Sequence, residues 1–443
     1  MTPDQIRASV RLGGRAAGGV VTQVRHMHHA VASRAFRPTG QASRPVRLVH
    51  DAIAHGAYGA VAGTFVLGGE AAGAVARVMA AGRRHDLGST GTGNHALSAV
   101  NAVIGDWLAQ NDDPLAITMS VRAGGHDLPF TADALARDFP DAGGRVVVFV
   151  HGLGENEHSW RRNADPAGRT LGSGLAADLG YTPVYLRYNT GRHISDNGRD
   201  LAVLLDRLVE SWPAPLHELS LIGHSMGGLV IRSACHYGAG NAWTGRVRHV
   251  VYLGSPHAGA PLARGARAVA WLLDKLPETR SFGALMDASP GIRDLRFGYV
   301  VEEDWADCDS GTCLDDHTTD LPLLAGATHH VVSAAVARNP SGPAAKIVGD
   351  LLVQPASAHG RVRDRAPVPF EREHRHHHGG LHHLDLLNHP QIEATLRACL
   401  TAPVARPERR VVPGRRRVAG HGRRGRLPDG NFADVAVRRG KPR

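Results

Sequence analysis

Cysteine is scarce in this chain, because four residues in 443 are too few to hold together a disulfide-built scaffold. Cys308 and Cys313 are close enough in sequence to bridge a loop if the protein were exported. No second Cys or His pair follows them at the spacing of a zinc site. The first residues also lack the apolar core of a signal peptide, since Arg7 and Arg11 interrupt it. These absences predict a cytoplasmic protein that needs no cofactor and no metal.

Acidic residues are few at the end of the chain. Residues 401–443 contain 13 Arg and Lys against 3 Asp and Glu, an excess equal to the formal net charge of +10 of the whole chain. Large apolar residues are almost absent from this segment, and such a composition cannot bury a core. We therefore predict a disordered basic tail over residues 401–443 and no specific nucleic-acid partner. Contact of the tail with anionic lipid is an open alternative.

The uncharged run over residues 52–69 is long enough to be compared with a membrane-spanning helix. Eighteen residues are the lower limit for a membrane-spanning helix, but this run is rich in Ala and Gly, contains His55 and ends at Glu70. We interpret it as a close-packed helix or as a peripheral membrane contact. Residues 1–50 carry scattered Arg and His with little periodicity and are predicted to be loose. Together, residues 1–94 are predicted to form a partly helical N-terminal extension.

Short apolar runs that end in glycine-rich or polar loops recur along the middle of the chain, with helical patterns between them. This alternation predicts βαβ units and a mostly parallel sheet, with the functional site at the carboxyl ends of the strands. The segment 257–325 is too long for a plain connection and is predicted to be a lid or cap, although a merely stabilising helical insertion is equally favoured. The strand runs are 146–150, 184–188, 219–222, 247–253 and 330–336, preceded by two short ones in 115–121 and 128–130.

A serine between two glycines follows the third run of the main series. The segment Gly223-His224-Ser225-Met226-Gly227 has the spacing of a nucleophile elbow, a tight strand-to-helix turn that exposes the serine hydroxyl. A side chain at either glycine would collide with neighbouring backbone. The pattern alone is weak in a chain with 53 glycines, but an apolar run before it and a helical pattern after it supply the expected context. We predict Ser225 as the catalytic nucleophile.

A serine nucleophile also needs hydrogen-bond donors for the oxyanion that forms during attack. His151-Gly152-Leu153 follows the first apolar run of the main series directly, and Gly152 would let the backbone approach a substrate oxygen. The predicted donors are the backbone N–H groups of Leu153 and of Met226, the residue after Ser225.

A base and an acid that orients it complete such a site, in the chain order Ser, acid, His. Asp350 follows the fifth run, where a sheet-end loop would present it, and Asp320 is the second candidate. Seven histidines lie between residues 374 and 389. Among them His383 is favoured as the base because an apolar segment follows it, with His382 and His389 in reserve. The histidines at 376–378 are interpreted as a solvated loop rather than as a metal-binding tract.

Four short motifs follow one another along the chain: 189–194 (NTGRHI), 223–228 (GHSMGG), 253–261 (LGSPHAGAP) and 383–390 (HLDLLNHP). Together they resemble α/β-hydrolase lipases, and more narrowly the bacterial esterases and lipases grouped with the glycosylphosphatidylinositol inositol-deacylases. The resemblance covers about residues 95–400. It implies the α/β-hydrolase fold, a mostly parallel central sheet with helices on both faces. It also implies ester hydrolysis through an acyl-enzyme, with Ser225 as nucleophile, Asp350 as orienter and His383 as base.

The expected function is hydrolysis of carboxylic, lipid-like esters. Inositol deacylation is not part of this expectation, because the motifs track the hydrolase machinery and not the choice of headgroup. Two alternatives stay open. An acyltransferase or thioesterase would use the same residues with another acceptor or leaving group. A non-catalytic membrane- or partner-binding protein would keep the fold without turnover.

Overall fold

A computed structural model of the protein describes residues 1–36, 44–79, 87–260, 289–306, 318–361 and 366–403. The predicted basic tail beyond residue 403 and the predicted Cys308–Cys313 bridge lie outside these residues. So do residues 261–288 and 307–317 of the predicted lid. The two remaining cysteines, Cys235 and Cys399, are free thiols and are buried.

In the described part of the chain eight strands form one sheet, and the runs of apolar residues predicted most of them. Buried parallel strands are apolar on both faces, which is why they read as unbroken runs in the sequence. The strands are β1 (Ser120–Ala123), β2 (His126–Asp127), β3 (Arg145–Val150), β4 (Thr182–Arg187), β5 (Glu218–His224), β6 (Val247–Leu253), β7 (Thr328–Ala335) and β8 (Arg375–Gly379).

The strand order from edge to edge is β2-β1-β4-β3-β5-β6-β7-β8. β1 runs antiparallel to β2 and to β4, while every other neighbouring pair is parallel. Helices lie between the parallel strands in the chain, as is usual for the long crossover connections that parallel strands need. This is the α/β-hydrolase fold, so the predicted fold class is confirmed.

Helices precede the sheet in the chain and alternate with its parallel strands. In chain order, the α-helices of the described residues are α1 (Pro3–Phe36), α2 (Arg44–Met79), α3 (Gly91–Gln110), α4 (Ala132–Asp138), α5 (Leu171–Leu179), α6 (Ile194–Ser211), α7 (Met226–Tyr237), α8 (Pro290–Phe297), α9 (Pro343–Val348), α10 (Pro355–Ala358) and α11 (Pro390–Thr401).

The hydrophobic core has two layers, one on each face of the sheet. Alternate residues of β3 point in opposite directions. Val148 therefore packs with the α6 and α7 side chains, including Leu205 and Leu229. Phe149 packs on the other face with α5 and α11, including Leu175. Helices thus cover both faces of the sheet, and the loops at the strand ends are left to build a site.

Two sequence expectations about the fold are wrong. The described part of residues 1–50 is not loose, because residues 3–36 form the long helix α1 and residues 44–50 begin α2. The histidines at 376–378 are not in a solvated loop, because they form the middle of β8, which pairs in parallel with β7. Their side chains are half-buried. Neither element has the apolar run or the strong periodicity that marks its neighbours.

Helices α1 and α2 are packed along each other through small residues. A Cβ built on Gly14 would lie 2.6 Å from the carbonyl oxygen of Phe65, and one on Gly69 would lie 2.9 Å from the Cα of Gly14. Arg15 also pairs with Glu70, 3.3 Å apart. The predicted close packing of the run 52–69 therefore holds only on the side that faces α1.

Candidate active site

Ser225 lies at the sharp turn between β5 and α7. Its φ of 52° and ψ of −120° are rare for a residue other than glycine and cost about 1–3 kcal/mol. A Cβ on Gly227 would lie 2.1 Å from the carbonyl oxygen of Val150, and one on Gly223 would lie 2.5 Å from the nitrogen of Gly228. Only glycine fits at these two positions, so the turn has the geometry of a nucleophile elbow.

Asp350 and His383 form a buried hydrogen-bonded pair, although 33 residues separate them. The Nδ1 atom of His383 lies 2.8 Å from Oδ2 of Asp350. The other carboxylate oxygen, Oδ1, accepts hydrogen bonds from the backbone N–H groups of Leu352 and Val353, at 3.0 and 2.7 Å. A carboxylate only accepts, so Nδ1 carries the ring proton and Nε2 keeps its lone pair.

His383 lies beside the elbow. Its ring centroid is 4.8 Å from that of His224, the residue before Ser225. A Cβ on Gly254 would lie 3.0 Å from Cε1 of His383, and the N–H of Ser225 donates to the adjoining Leu253 carbonyl at 2.8 Å. Among the described residues, Nε2 of His383 has no hydrogen-bond partner, Ser225 included. Hydrogen bonds between a base and a nucleophile are often long in a free enzyme and tighten when substrate binds.

The loop after β3 also contacts the elbow. A Cβ on Gly152 would lie 3.1 Å from the Cβ of Ser225, so the backbone around Leu153 is close to the serine. Met226 is the first residue of α7, and its backbone N–H therefore has no acceptor within that helix. The loop that carries Leu153 and the first residue of α7, Met226, are thus both next to Ser225.

Buried contacts fix the position of this loop. The His151 ring stacks on Tyr188 with centroids 4.4 Å apart, and the Tyr188 hydroxyl donates to the His151 carbonyl at 2.7 Å. The N–H of Gly154 donates to Oγ1 of Thr190 at 3.1 Å. Thr190 belongs to the 189–194 motif, so the contribution of that motif here is to hold the loop in place.

The reserve candidates have other partners or lie elsewhere. Nε2 of His382 pairs with Asp385 at 3.1 Å, and the His382 side chain is half-exposed. His389 caps α11, where its Nδ1 accepts the N–H of Gln391 at 3.2 Å. Asp320 is exposed. None of the three reserves makes the buried contact that joins His383 to Asp350.

Sequence reasoning missed a second buried pair beneath the elbow. Nδ1 of His224 lies 3.0 Å from Oε2 of Glu155, and the same oxygen accepts the N–H of Gly152 at 2.8 Å. Burial alone would raise the pKa of Glu155, but the charge and hydrogen bond of His224 outweigh it and lower this pKa to about 2. Burial alone would lower the pKa of His224, but Glu155 raises it. The signal was in the sequence, as a glutamate just after the 151–154 loop and a histidine inside the elbow.

We expect Glu155→Gln to remove a pH-dependent part of the stability. Because the pKa of Glu155 is lowered from 4.5 to about 2, its contribution is present above pH 4.5 and disappears as the pH falls to about 2. Because the pKa of His224 is raised, its contribution is complete below its ordinary value of 6.5 and is lost as the pH rises through the folded value. The loss of unfolding free energy should therefore peak near pH 5.5, at about 3 kcal/mol.

Urea unfolding at pH 3, 5.5 and 9 measures this difference. The matched control is Glu371→Gln, which removes a glutamate 65% exposed in its pair with His374 and should change stability by less than about 1 kcal/mol. A loss in Glu155→Gln that is the same at all three pH values would contradict the ionic account of the pair.

The described part of the predicted lid lies close to the site. Asp294 of α8 accepts the backbone N–H of Ile194 at 2.7 Å, which ties α8 to the start of α6. The ring of His193 stacks on Trp305 with centroids 3.6 Å apart. A Cβ on Gly291 would lie 3.0 Å from Cε of Met226. Helix α8 therefore packs against Met226, one of the two predicted oxyanion donors.

Comparison with known proteins agrees with this fold. Residues 141–272 match the family model described as the PGAP1-like alpha/beta domain. Over these residues the chain is similar to the PGAP1-like alpha/beta domain, in agreement with the α/β-hydrolase fold of the sheet. No match is found among curated proteins.

Several solved structures also match. A lipase of Bacillus licheniformis in its mature form is 20% identical, with 58% of this chain and 92% of that chain covered and a TM-score of 0.40. A lipase of Aspergillus fumigatus is 12% identical, with 62% and 54% covered and a TM-score of 0.33. A metagenomic carboxyl esterase is 15% identical, with 58% and 74% covered and a TM-score of 0.33.

Proposed function

We propose that the protein is a serine hydrolase of carboxylic esters with lipid-like substrates, and that it works through an acyl-enzyme. One observation carries the proposal. The buried Asp350–His383 pair leaves a lone pair on Nε2 of His383, beside a serine held in a strained elbow. Buried imidazole-carboxylate pairs next to a serine are what general-base activation of a hydroxyl requires. The match to the PGAP1-like domain supports the same reaction class.

Each residue then has one role in the reaction. Nε2 of His383 takes the proton of Ser225 as the serine oxygen attacks the ester carbonyl carbon. The N–H groups of Leu153 and Met226 bind the oxyanion, and His383 returns the proton to the leaving alcohol. A water molecule repeats the steps on the acyl-enzyme, which releases the acid and restores Ser225. Asp350 keeps the His383 ring in the tautomer that this sequence of steps needs.

Hydrolysis rates on nitrophenyl esters from short to long acyl chains test the proposal. We expect turnover that rises with chain length, since the substrate is proposed to be lipid-like. Turnover confined to short acyl chains would mean that the protein is an esterase and not a lipase. If no ester is hydrolysed but thioesters are, the thioesterase alternative would replace the proposal. If product forms only when an alcohol acceptor is added, the acyltransferase alternative would replace it.

We also propose that the protein is cytoplasmic and contacts a membrane through α2. Residues 50–78 of α2 are a helical stretch long and apolar enough to cross a bilayer, with a mean hydropathy of 1.3. In the 18-residue apolar segment of this stretch, only 11% is buried. Ile53, Leu67 and Val75 are 67%, 71% and 59% exposed. At 100° per residue these side chains lie opposite the glycines that contact α1, on one apolar face. A face of this length and exposure fits the interfacial region of a lipid bilayer.

Changing Ile53 and Leu67 together to Glu should reduce co-sedimentation with vesicles of phosphatidylcholine and phosphatidylglycerol at least about tenfold. The reason is that two aliphatic side chains proposed to enter the lipid are replaced by charged ones. The control is Val203→Glu, at a 59% exposed valine on α6. Equal sedimentation of all variants would contradict the membrane contact. So would a wild-type dimer in solution that the double variant disrupts, since a second copy would then cover this face.

A further inference from the structure

Two histidines and a cysteine meet on the side of the sheet covered by α11. They are His330 of β7, His376 of β8 and Cys399 of α11, and one donor atom from each lies within 4.8 Å of the other two. Sγ of Cys399 is 3.4 Å from Nε2 of His376. His330 and Cys399 are each 2% exposed. The three residues come from three different elements, so the cluster is made by the fold rather than by the local histidine run.

His330 has no ordinary structural explanation. Among the described residues, neither of its ring nitrogens has a hydrogen-bond partner, although the side chain is buried. Leaving a buried polar group unpaired costs about 1–3 kcal/mol, so native proteins rarely do so without a reason. Its other ring neighbours are also imidazoles, with His374 centred 4.8 Å away and His249 5.7 Å away. An ion bound by His330 would satisfy a nitrogen that is otherwise unpaired.

We propose that His330, His376 and Cys399 bind a divalent zinc ion. Two imidazoles and a thiolate are a donor set that zinc prefers. With Zn–S near 2.3 Å and Zn–N near 2.0–2.1 Å, a tetrahedral site separates sulfur and nitrogen by about 3.5 Å, close to the 3.4 Å seen between Cys399 and His376. His330 closes the third position with a shift of about 1 Å, and water takes the fourth.

Zinc binding forms a Zn–S bond and releases one proton from the Cys399 thiol to solvent, which makes binding weaker at low pH.

The position of the cluster indicates a structural role. His376 is the second residue of β8 and His330 the third of β7, whereas Asp350 and His383 follow the carboxyl ends of these strands. The ion would tie the edge strand β8 and helix α11 to β7. Since His383 lies between β8 and α11, zinc would stabilise the segment that carries it without touching the reacting atoms. The inference does not depend on the proposed esterase activity.

Zinc content and thermal unfolding of the full chain test this inference. We expect the wild-type protein, purified with zinc and then dialysed, to retain one zinc per chain and to lose melting temperature when treated with a chelator. Cys399→Ala and His376→Ala should each weaken zinc binding at least about 100-fold. The matched controls are Cys235→Ala, at the other buried free thiol, and His378→Ala, two residues further along β8. Both should bind zinc as the wild type does.

A cobalt-loaded sample reports directly whether a cysteine is a ligand. Cobalt bound by Cys399 should give a thiolate-to-cobalt charge-transfer band, present in Cys235→Ala and absent in Cys399→Ala. If Cys399→Ala does not fold, His376→Ala supplies the loss of affinity with the thiol retained. Wild-type protein that keeps no zinc would overturn the proposal. Zinc binding lost equally in His378→Ala and His376→Ala would also overturn it, in favour of loose binding to the histidine run.

Discussion

Replacing Ser225 with alanine is expected to reduce kcat/KM for carboxylic esters by at least about 10⁴-fold, to a level set by the oxyanion donors and substrate binding alone. The physical reason is that no other hydroxyl is held in the elbow beside His383. The alanine has no hydroxyl, so the acyl-enzyme cannot form and only direct attack by water remains. The variant should fold, because alanine keeps the Cβ that the strained backbone already accommodates.

The measurement is initial-rate hydrolysis of a nitrophenyl ester under conditions in which the folded fraction is checked by circular dichroism. Ser233→Ala is the matched control, since Ser233 is a fully buried serine on the same helix, α7. Its rate should stay within a few-fold of wild type. A Ser225→Ala rate above about one tenth of the wild-type rate would remove Ser225 from the reaction.

Changing Asp350 to Asn is expected to lower kcat by about 10⁴-fold, the size of the loss when the aspartate of a serine protease triad is replaced by its amide. The carboxylate accepts from Nδ1 of His383 at 2.8 Å, whereas an amide can also turn its NH₂ group toward that nitrogen. The NH₂ group would favour the tautomer with the proton on Nε2, which can no longer take the proton of Ser225.

Asp320→Asn is the control that separates the two acids considered from the sequence, because Asp320 is exposed. It should leave kcat unchanged. The loss in Asp350→Asn should shrink as the pH rises if hydroxide begins to replace the base. Equal losses in both variants, or a full rate in Asp350→Asn, would contradict the role given to Asp350.

The elements that position the site were predictable because their physical cause lies within a few adjacent residues. Buried parallel strands need continuous apolar runs, and 247–253 was predicted with the bounds that the structure shows. The elbow needs small residues at fixed offsets from Ser225, which glycines reveal directly. The order of Ser225, Asp350 and His383 along the chain follows from the fold.

Strand β8 escaped prediction because its sequence lacks the usual apolar run. Burial and neighbouring imidazoles lower the pKa of His376 and His378, so these side chains are neutral and can be half-buried beside β7. Neutral, partly buried imidazoles do not behave as the charged residues of a solvated loop. That consequence depends on neighbours distant in sequence, which periodicity cannot report.

Helix α1 was missed for a related reason. Two of its arginines pair with acids far along the chain, Arg15 with Glu70 and Arg11 with Asp113. Two of its glycines, Gly14 and Gly18, lie against the neighbouring helix α2, where a side chain would not fit. The Glu155–His224 pair also joins the loop after β3 to the end of β5, 69 positions further along the chain. In each case the cause lies in tertiary contacts that local sequence does not contain.

The central claim is that Ser225 is the activated nucleophile, and covalent labelling with a fluorophosphonate tests it most directly. The protein should take up one phosphonate per chain, and peptide mapping by mass spectrometry should find it on Ser225. Labelling should be lost in Ser225→Ala and slowed strongly in Asp350→Asn, while Ser233→Ala labels at the wild-type rate. An adduct on another residue, or undiminished labelling of Ser225→Ala, would contradict the account.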